Sequence, residues 1–118
     1  MADPRRSQPT DHLPLRAVEF QVLVLLAESE RHGWAILQEA ESGGRPIAGI
    51  ATLYRTLQRL EADGLIERRR DLEDEEDRRS VYGLTPLGRA VASAEARRLQ
   101  TLLGVARAAD LLDELDGQ

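Results

Sequence analysis

The sequence contains no cysteine and no lysine, and only four of its 118 residues are aromatic. The absence of cysteine excludes disulfides, thiolate metal sites and cysteine nucleophiles. The longest apolar run, Val22–Ala27, is much shorter than the roughly 18 residues that a membrane span needs. Residues 1–12 lack the apolar stretch of a secretory leader. These absences predict a single soluble, cytoplasmic domain that does not associate with a membrane.

The charge of the chain is negative overall but unevenly distributed. The formal net charge is −5, and all 16 basic residues are arginine. Residues 45–70 carry a net charge of +3 and residues 78–107 a net charge of +5, whereas residues 71–77 hold six acids and no arginine. The planar arginine fork suits phosphates and base edges. The two basic stretches can therefore bind a polyanion locally, although the overall field opposes its approach.

Hydrophobic spacing predicts three helices in the first part of the chain. Apolar side chains lie almost all round the first helix, Leu15–Glu28, so both of its sides must be covered, one of them plausibly by a partner subunit. A turn at Glu30–Gly33 precedes a second helix at about Trp34–Glu41. The third helix spans about Ala48–Ala62, and its predicted buried stripe is Ile50, Leu53, Leu57 and Leu60.

The second part of the chain predicts a hairpin and one long helix. Leu65–Arg70 and Ser80–Leu84 are typical of paired strands joined by an extended loop. Thr85-Pro86 is a cap followed by a first-turn proline, which predicts the start of the last helix. The chain is thus mainly α with a small β-hairpin, in the order of a winged helix-turn-helix. We expect a flexible arm at 1–12, the winged domain at 13–85, and a C-terminal dimerisation helix with an acidic tail at 86–118.

Four ordered motifs carry a family resemblance: His32-Gly33-Trp34, Thr52-Leu53-Tyr54-Arg55, Leu60-Glu61-x-Asp63-Gly64-Leu65-Ile66 and Tyr82-x-Leu84-Thr85-x-x-Gly88. With them, about residues 18–91 resemble the PadR family of bacterial winged-helix transcriptional regulators. The resemblance implies a homodimeric, ligand-responsive repressor. The two-fold symmetry of a homodimer would then require an inverted-repeat operator. The short final segment is similar to the compact branch of the family, which has a single C-terminal helix. No residue of the sequence identifies a small-molecule effector.

Double-stranded DNA is the partner that the arginines favour. Two arginines and two threonines share one sector of the third helix: Thr52, Arg55, Thr56 and Arg59. Tyr54 lies beside this sector, and the resemblance implies that it contacts DNA. Arginines at the base of the hairpin can grip backbone phosphates: Arg68, Arg70, Arg78 and Arg79. The alternative for the helix is a solvated face with internal pairs such as Arg59 with Asp63. The motifs favour contact with DNA.

The acids of residues 71–77 support a different function class. On this alternative the chain is a winged-helix protein-interaction module whose acidic wing or tail binds a partner protein. The same segment lacks the glycine and ligand spacing of a calcium loop, so we predict no metal site. The serines and the two histidines form no catalytic constellation, so we predict neither an enzyme nor a cofactor. His32 is interpreted as a structural side chain that bonds the backbone. Trp34 is interpreted as a residue of core or interface packing, with the lining of a pocket for a flat aromatic effector as its alternative.

A homodimer is predicted from apolar residues on the first and last helices. The last helix carries an apolar stripe for which the domain offers no large facing core, and its alternative is to fold back on its own domain. The predicted contact residues are Phe20, Val22, Leu26, Val91, Leu99, Leu102 and Ala106.

Overall fold

The predicted order of three helices, a hairpin and one long helix is confirmed. The computed structural model describes residues 6–47, 49–69 and 80–112. Its elements are a 3-10 turn at Pro9–His12, α1 at Ala17–Glu28, β1 at Arg31–His32, α2 at Gly33–Ser42, α3 at Ile50–Ala62, β2 at Ile66–Arg69, β3 at Val81–Leu84 and α4 at Pro86–Ala108. Arg70, Arg78 and Arg79, together with the acidic segment 71–77, lie outside the described residues.

The sheet has three strands rather than the expected two. β3 lies in the middle and pairs antiparallel with both β2 and β1. In β1, Arg31 lies opposite Tyr82 and His32 opposite Val81. The segment that was predicted as a simple turn is therefore an edge strand. Two residues are too few to show strand alternation, so the sequence pattern could not indicate it.

The core lies between α1, α2, α3, the sheet and the first half of α4. Its buried apolar residues are Val22, Leu23, Leu26, Ile36, Ala40, Ile47, Leu53, Leu57, Leu60, Leu65, Ile66, Tyr82 and Val91. Leu53, Leu57 and Leu60 confirm the predicted stripe of α3. Ile50 is an error in that stripe, because it lies in the first turn of the helix and its side chain is 57% exposed.

Three residues predicted to contact a partner subunit lie in this core instead. Val22, Leu26 and Val91 are at most 3% exposed. α1 packs against α2, α3, β3 and α4 of its own chain, and these elements cover the sides of the helix that carry Val22 and Leu26, whereas Val24 stays exposed. The assignment of these three side chains to a dimer contact is therefore corrected.

The described part of the N-terminal arm, residues 6–12, contacts the rest of the domain at a few points, although several of its side chains are exposed. His12 is only 4% exposed, and its Nε2 lies 2.6 Å from the Arg6 carbonyl oxygen. Arg6 also forms an ion pair with Asp63 at 3.4 Å, and the 3-10 turn packs against α4. The prolines of the arm argue against a long helix, but a 3-10 turn accepts proline in its first positions.

The junction between the hairpin and α4 depends on a close backbone approach. The hydroxyl of Thr85 accepts from the Gly88 N–H at 2.9 Å, as the predicted cap requires, and donates to the Gly64 carbonyl at 2.7 Å. A Cβ on Gly88 would lie 1.9 Å from the Leu65 carbonyl oxygen. Only glycine therefore allows α4 to start this close to the end of α3 and the start of β2.

We expect opposite effects from two glycine substitutions in α4. Gly88→Ala should prevent folding or lower the free energy of unfolding by several kcal/mol, because the backbone would have to move away from the new methyl group. Gly104→Ala meets no atom within 4 Å and should stabilise the helix by up to about 1 kcal/mol. Thermal melts of both variants and wild type check this. Equal melting temperatures for the two variants would contradict the described junction.

A buried carboxylate joins α4 to the segment before α1. Glu95 is 2% exposed and accepts two hydrogen bonds from Arg98, at 2.7 and 2.8 Å. These bonds lower the pKa of Glu95 against the opposing effect of burial, and a hydrogen bond from the Leu15 backbone lowers it further. Because the pKa of Glu95 is lower in the folded than in the unfolded chain, its ionisation stabilises the fold at pH values above the ordinary glutamate pKa. This stabilisation is lost as the pH falls towards the pKa of the folded state.

Arg98→Met should therefore destabilise the protein most at neutral pH. The variant leaves the Glu95 carboxylate buried without its cation, whereas a protonated Glu95 needs no cation. We expect a lower denaturation midpoint than wild type at pH 7 and a smaller difference near pH 4, close to the ordinary glutamate pKa of about 4.3. Urea denaturation at both pH values measures it, with Arg97→Met as the matched control. A difference that grows on acidification would contradict this account.

Candidate nucleic-acid interface

The outward face of α3 presents a polar ridge, which we call the recognition ridge: Tyr54, Arg55, Gln58 and Arg59. These side chains lie opposite the buried stripe and are exposed. Gln58 was not among the predicted contacts, although it lies between Tyr54 and Arg55 around the helix and a glutamine can bind adenine with two hydrogen bonds. The helical spacing places Gln58 on the exposed face of α3, and its amide group is the sequence feature that indicates a base contact.

Tyr54 lies against the start of α2. A Cβ on Gly33 would lie 2.8 Å from the Tyr54 hydroxyl oxygen, so the glycine leaves room for the tyrosine. The neighbouring Trp34 is 52% exposed, and its ring stacks on His32 with the ring centres 6.5 Å apart. Trp34 is therefore not a core residue. The start of α2 adds an exposed aromatic side chain next to the residue that contacts Tyr54.

Thr56 does not belong to the ridge. It is only 8% exposed, and its hydroxyl donates to the Thr52 carbonyl at 2.8 Å. A threonine inside a helix commonly bonds the carbonyl four residues earlier, which withdraws its hydroxyl from other partners. The prediction that Thr56 presents its hydroxyl to DNA is corrected, whereas Thr52 stays half-buried at the edge of the ridge.

The two predicted ridge arginines differ in their surroundings. Within the part of the chain that the structure describes, Arg55 forms no ion pair. Arg59 lies 4.0 Å from a carboxylate oxygen of Glu19. Among the described residues, Asp63 pairs with Arg6 and Arg59 approaches Glu19, so the internal Arg59–Asp63 pair of the solvated-face alternative is not formed. Arg55 and Arg59 therefore remain available to bind an anion.

Of the four predicted wing arginines, the described residues include only Arg68. Its guanidinium lies 3.4 Å from Glu61 and 5.8 Å from the ring centre of Tyr82. Burial raises the pKa of Tyr82, and the charge of Arg68 opposes that rise. Arg69, on the same strand, pairs with both Glu30 and Glu67. Two carboxylates therefore neutralise Arg69, whereas Arg68 keeps a half-exposed guanidinium beside α3.

A second surface lies between α1 and α4. A groove of about 490 Å³, bordered also by α2, is lined by apolar side chains that include Phe20, Val24 and Leu99 and by charged residues that include Glu28, Glu39, Arg45 and Arg98. Beyond it, α4 continues with the exposed residues Leu102, Leu103 and Val105 and the half-buried Ala106. The predicted contacts Phe20, Leu99, Leu102 and Ala106 thus lie along one side of the domain. No other described element covers the end of α4.

Comparison with known proteins decides the family. The model of the transcriptional regulator PadR-like family matches residues 22–94, which is more than half of the chain. The chain belongs to the PadR-like family of transcriptional regulators. The PadR-like match runs from α1 into α4, so it includes the sheet and the whole of α3.

Individual PadR-like and related proteins agree in sequence and fold. The chain is 41% identical to transcriptional regulator Rv3488 of Mycobacterium tuberculosis over 86 residues, 73% of this chain and 78% of that protein. A PadR family transcription regulator from Clostridium difficile is 19% identical, with a TM-score of 0.68 over 79% of this chain and 97% of that one. A transcriptional regulator from Clostridium thermocellum is 26% identical, with a TM-score of 0.65 over 77% of this chain and 87% of that one. At 19% identity, the Clostridium difficile structure shows only that the two chains share a fold.

Within residues 6–47, 49–69 and 80–112, no helix has the length and apolarity to cross a bilayer.

Proposed function

We propose that this PadR-like regulator is a homodimeric repressor that binds an inverted-repeat operator through α3. The observation that carries the proposal is the recognition ridge, where Arg55, which has no ion pair among the described residues, and the weakly paired Arg59 stand on an exposed helix face. An α-helix fits the major groove of B-DNA, and an arginine fork bonds the two acceptors of guanine. Membership of a family of transcriptional regulators supports the same function.

The ridge has neighbours that suit the DNA backbone. Tyr54 has a hydroxyl that can bond a phosphate oxygen, and its contact with Gly33 limits its movement. Arg68 stands on the sheet beside α3 and can reach a phosphate on the same side. Thr52 completes the set at the edge of the ridge. Phosphate contacts fix the orientation of the protein, and Arg55, Arg59 and Gln58 would then read base edges.

The dimer is proposed from the α1–α4 side of the domain. α4 has 23 residues and is therefore about 34 Å long, so its last turns extend past the core that ends at Val91 and Glu95. We assign the groove beside Phe20 and Leu99 to the end of α4 from a second copy. Continuity between the groove and the exposed Leu102 and Leu103 supports this assignment. Two copies related by a two-fold axis would require half-sites about one helical turn, ~34 Å, or a multiple apart.

Binding to randomised duplexes, followed by a salt series, tests the function. Selection should enrich an inverted repeat, and the logarithm of the affinity for it should fall steeply and linearly with the logarithm of the salt concentration. A winged-helix module that binds only a protein partner through its acidic segment would bind no duplex at any salt. Enrichment of a sequence without two-fold symmetry would contradict the proposed dimer but not the DNA contact.

A further inference from the structure

A small cavity lies where the first turn of α1 meets the outer side of α3. It measures about 160 Å³, and we call it the arginine notch. Its polar lining consists of Arg16, Glu19, Thr52, Arg55, Thr56 and Arg59. Arg16 precedes α1 and is the one arginine of the notch that lies outside α3. The notch therefore extends the recognition ridge onto a second element of the fold.

The notch has an excess of positive charge. Three arginines and a single carboxylate, that of Glu19, line it. One carboxylate oxygen accepts from the Arg16 backbone N–H at 2.8 Å, and the other lies 4.0 Å from Arg59. Neither Arg16 nor Arg55 forms an ion pair among the described residues. Two positive charges beside a small opening thus have no carboxylate partner in the part of the chain that the structure describes.

We infer that the arginine notch binds one phosphate of the DNA backbone, and that Arg16 is a DNA-contacting residue. The inference rests on the proposed function. Guanidinium groups bind phosphate oxygens through paired, charge-assisted hydrogen bonds, and the chain offers two such groups here at the edge of the recognition ridge. A phosphate in the notch would position α3 in the groove without reading sequence. Arg55 would then share its donors between that phosphate and a base.

Glu19 sets the affinity of the notch in this account. Its charge offsets one of the three guanidiniums and attracts Arg59 towards the α1 side. Glu19→Gln keeps an oxygen that can accept from the Arg16 N–H but removes the negative charge. We therefore expect Glu19→Gln to tighten DNA binding and Arg16→Gln to weaken it. A merely structural role of the pair would not produce effects of opposite sign.

The salt dependence of DNA binding tests the notch. The Arg16 side chain is exposed, and its backbone N–H makes the bond at the start of α1, so Arg16→Gln should fold normally. This variant should reduce the slope of log affinity against log salt by about one, on the operator and on random duplex alike. Glu19→Gln should raise the affinity for both duplexes. Arg97→Gln, an exposed arginine of α4, should change neither.

Three outcomes would overturn the inference. If wild type binds DNA and Arg16→Gln has the same slope and affinity, the notch does not hold a backbone phosphate, although the proposed function stands. If wild type binds no duplex, both the function and the notch assignment fail. A second experiment titrates the protein with inorganic phosphate and follows binding through the backbone NMR signals of residues 16–19. Saturable phosphate binding that Arg16→Gln removes, together with an unchanged DNA slope, would make the notch a site for free phosphate instead.

Discussion

Replacement of Arg55 and Arg59 together by alanine is expected to weaken operator binding by about 10²- to 10⁴-fold, since one bidentate arginine–guanine pair contributes about 1–3 kcal/mol. Both side chains stand on the exposed face of α3, and neither supports the core stripe. The double variant should therefore keep the fold and the dimer. The preference for the operator over random duplex should fall sharply, because of the base-reading side chains of the ridge only Gln58 would remain. Fluorescence anisotropy with both duplexes measures the effect.

Two controls separate base contact from simple loss of charge. Arg97→Ala removes an exposed charge from α4 and should leave the preference for the operator unchanged. Gln58→Ala removes no charge, yet it should reduce that preference at the positions the ridge reads, by about 1–3 kcal/mol if Gln58 binds adenine with both amide atoms. Operator binding that survives the double arginine change would show that the recognition ridge is assigned to the wrong surface.

The second large effect is expected at the end of α4. Leu102→Glu with Leu103→Glu should convert the dimer to a monomer, because two carboxylates would enter an apolar contact. Loss of the second half-site contact should then reduce operator affinity by about 10²-fold or more, the range that linked binding of two sites provides. The domain should stay folded, since both leucines are about half exposed and lie beyond Val91 and Glu95. Sedimentation equilibrium gives the mass and circular dichroism the fold.

A matched control adds the same charges to the same helix. Gln100→Glu with Thr101→Glu places two carboxylates within one turn of Leu102, on exposed positions that face away from the apolar stripe. This variant should remain a dimer. If the leucine variant also remains a dimer at micromolar concentration, the contact between subunits does not involve the end of α4. Deletion of the whole helix is a poorer test, because it would remove Val91 and Glu95 from the core.

The element order and much of α3 could be predicted because they depend on local patterns. The spacing of Leu53, Leu57 and Leu60 indicates a helix with one buried face, and these residues are buried. The Thr85-Pro86 pair indicates the start of a helix, and Thr85 caps α4. Each of these signals involves neighbours in sequence. Such signals locate an element and one of its faces.

Residues whose environment depends on distant parts of the chain could not be predicted. The pattern of α1 shows that Val22 and Leu26 need cover, but whether that cover comes from the same chain or a second one depends on tertiary packing. Glu95 is a charged residue on the inner side of α4, and only the fold shows that Arg98 and the Leu15 backbone hold it. Arg16 lies far from α3 in sequence, so nothing local associates it with Arg55.

Footprinting tests the central claim most directly, namely that the arginine-bearing face of α3 binds a duplex despite the net charge of −5. Wild-type chain is added in low-salt buffer to the duplexes that selection enriches and to the DNA upstream of its own gene, and the bound DNA is cleaved with hydroxyl radicals. The account predicts two symmetric protected segments about one helical turn (~34 Å), or a multiple of it, apart. No protection on any duplex, in the absence of any added small molecule, would contradict it.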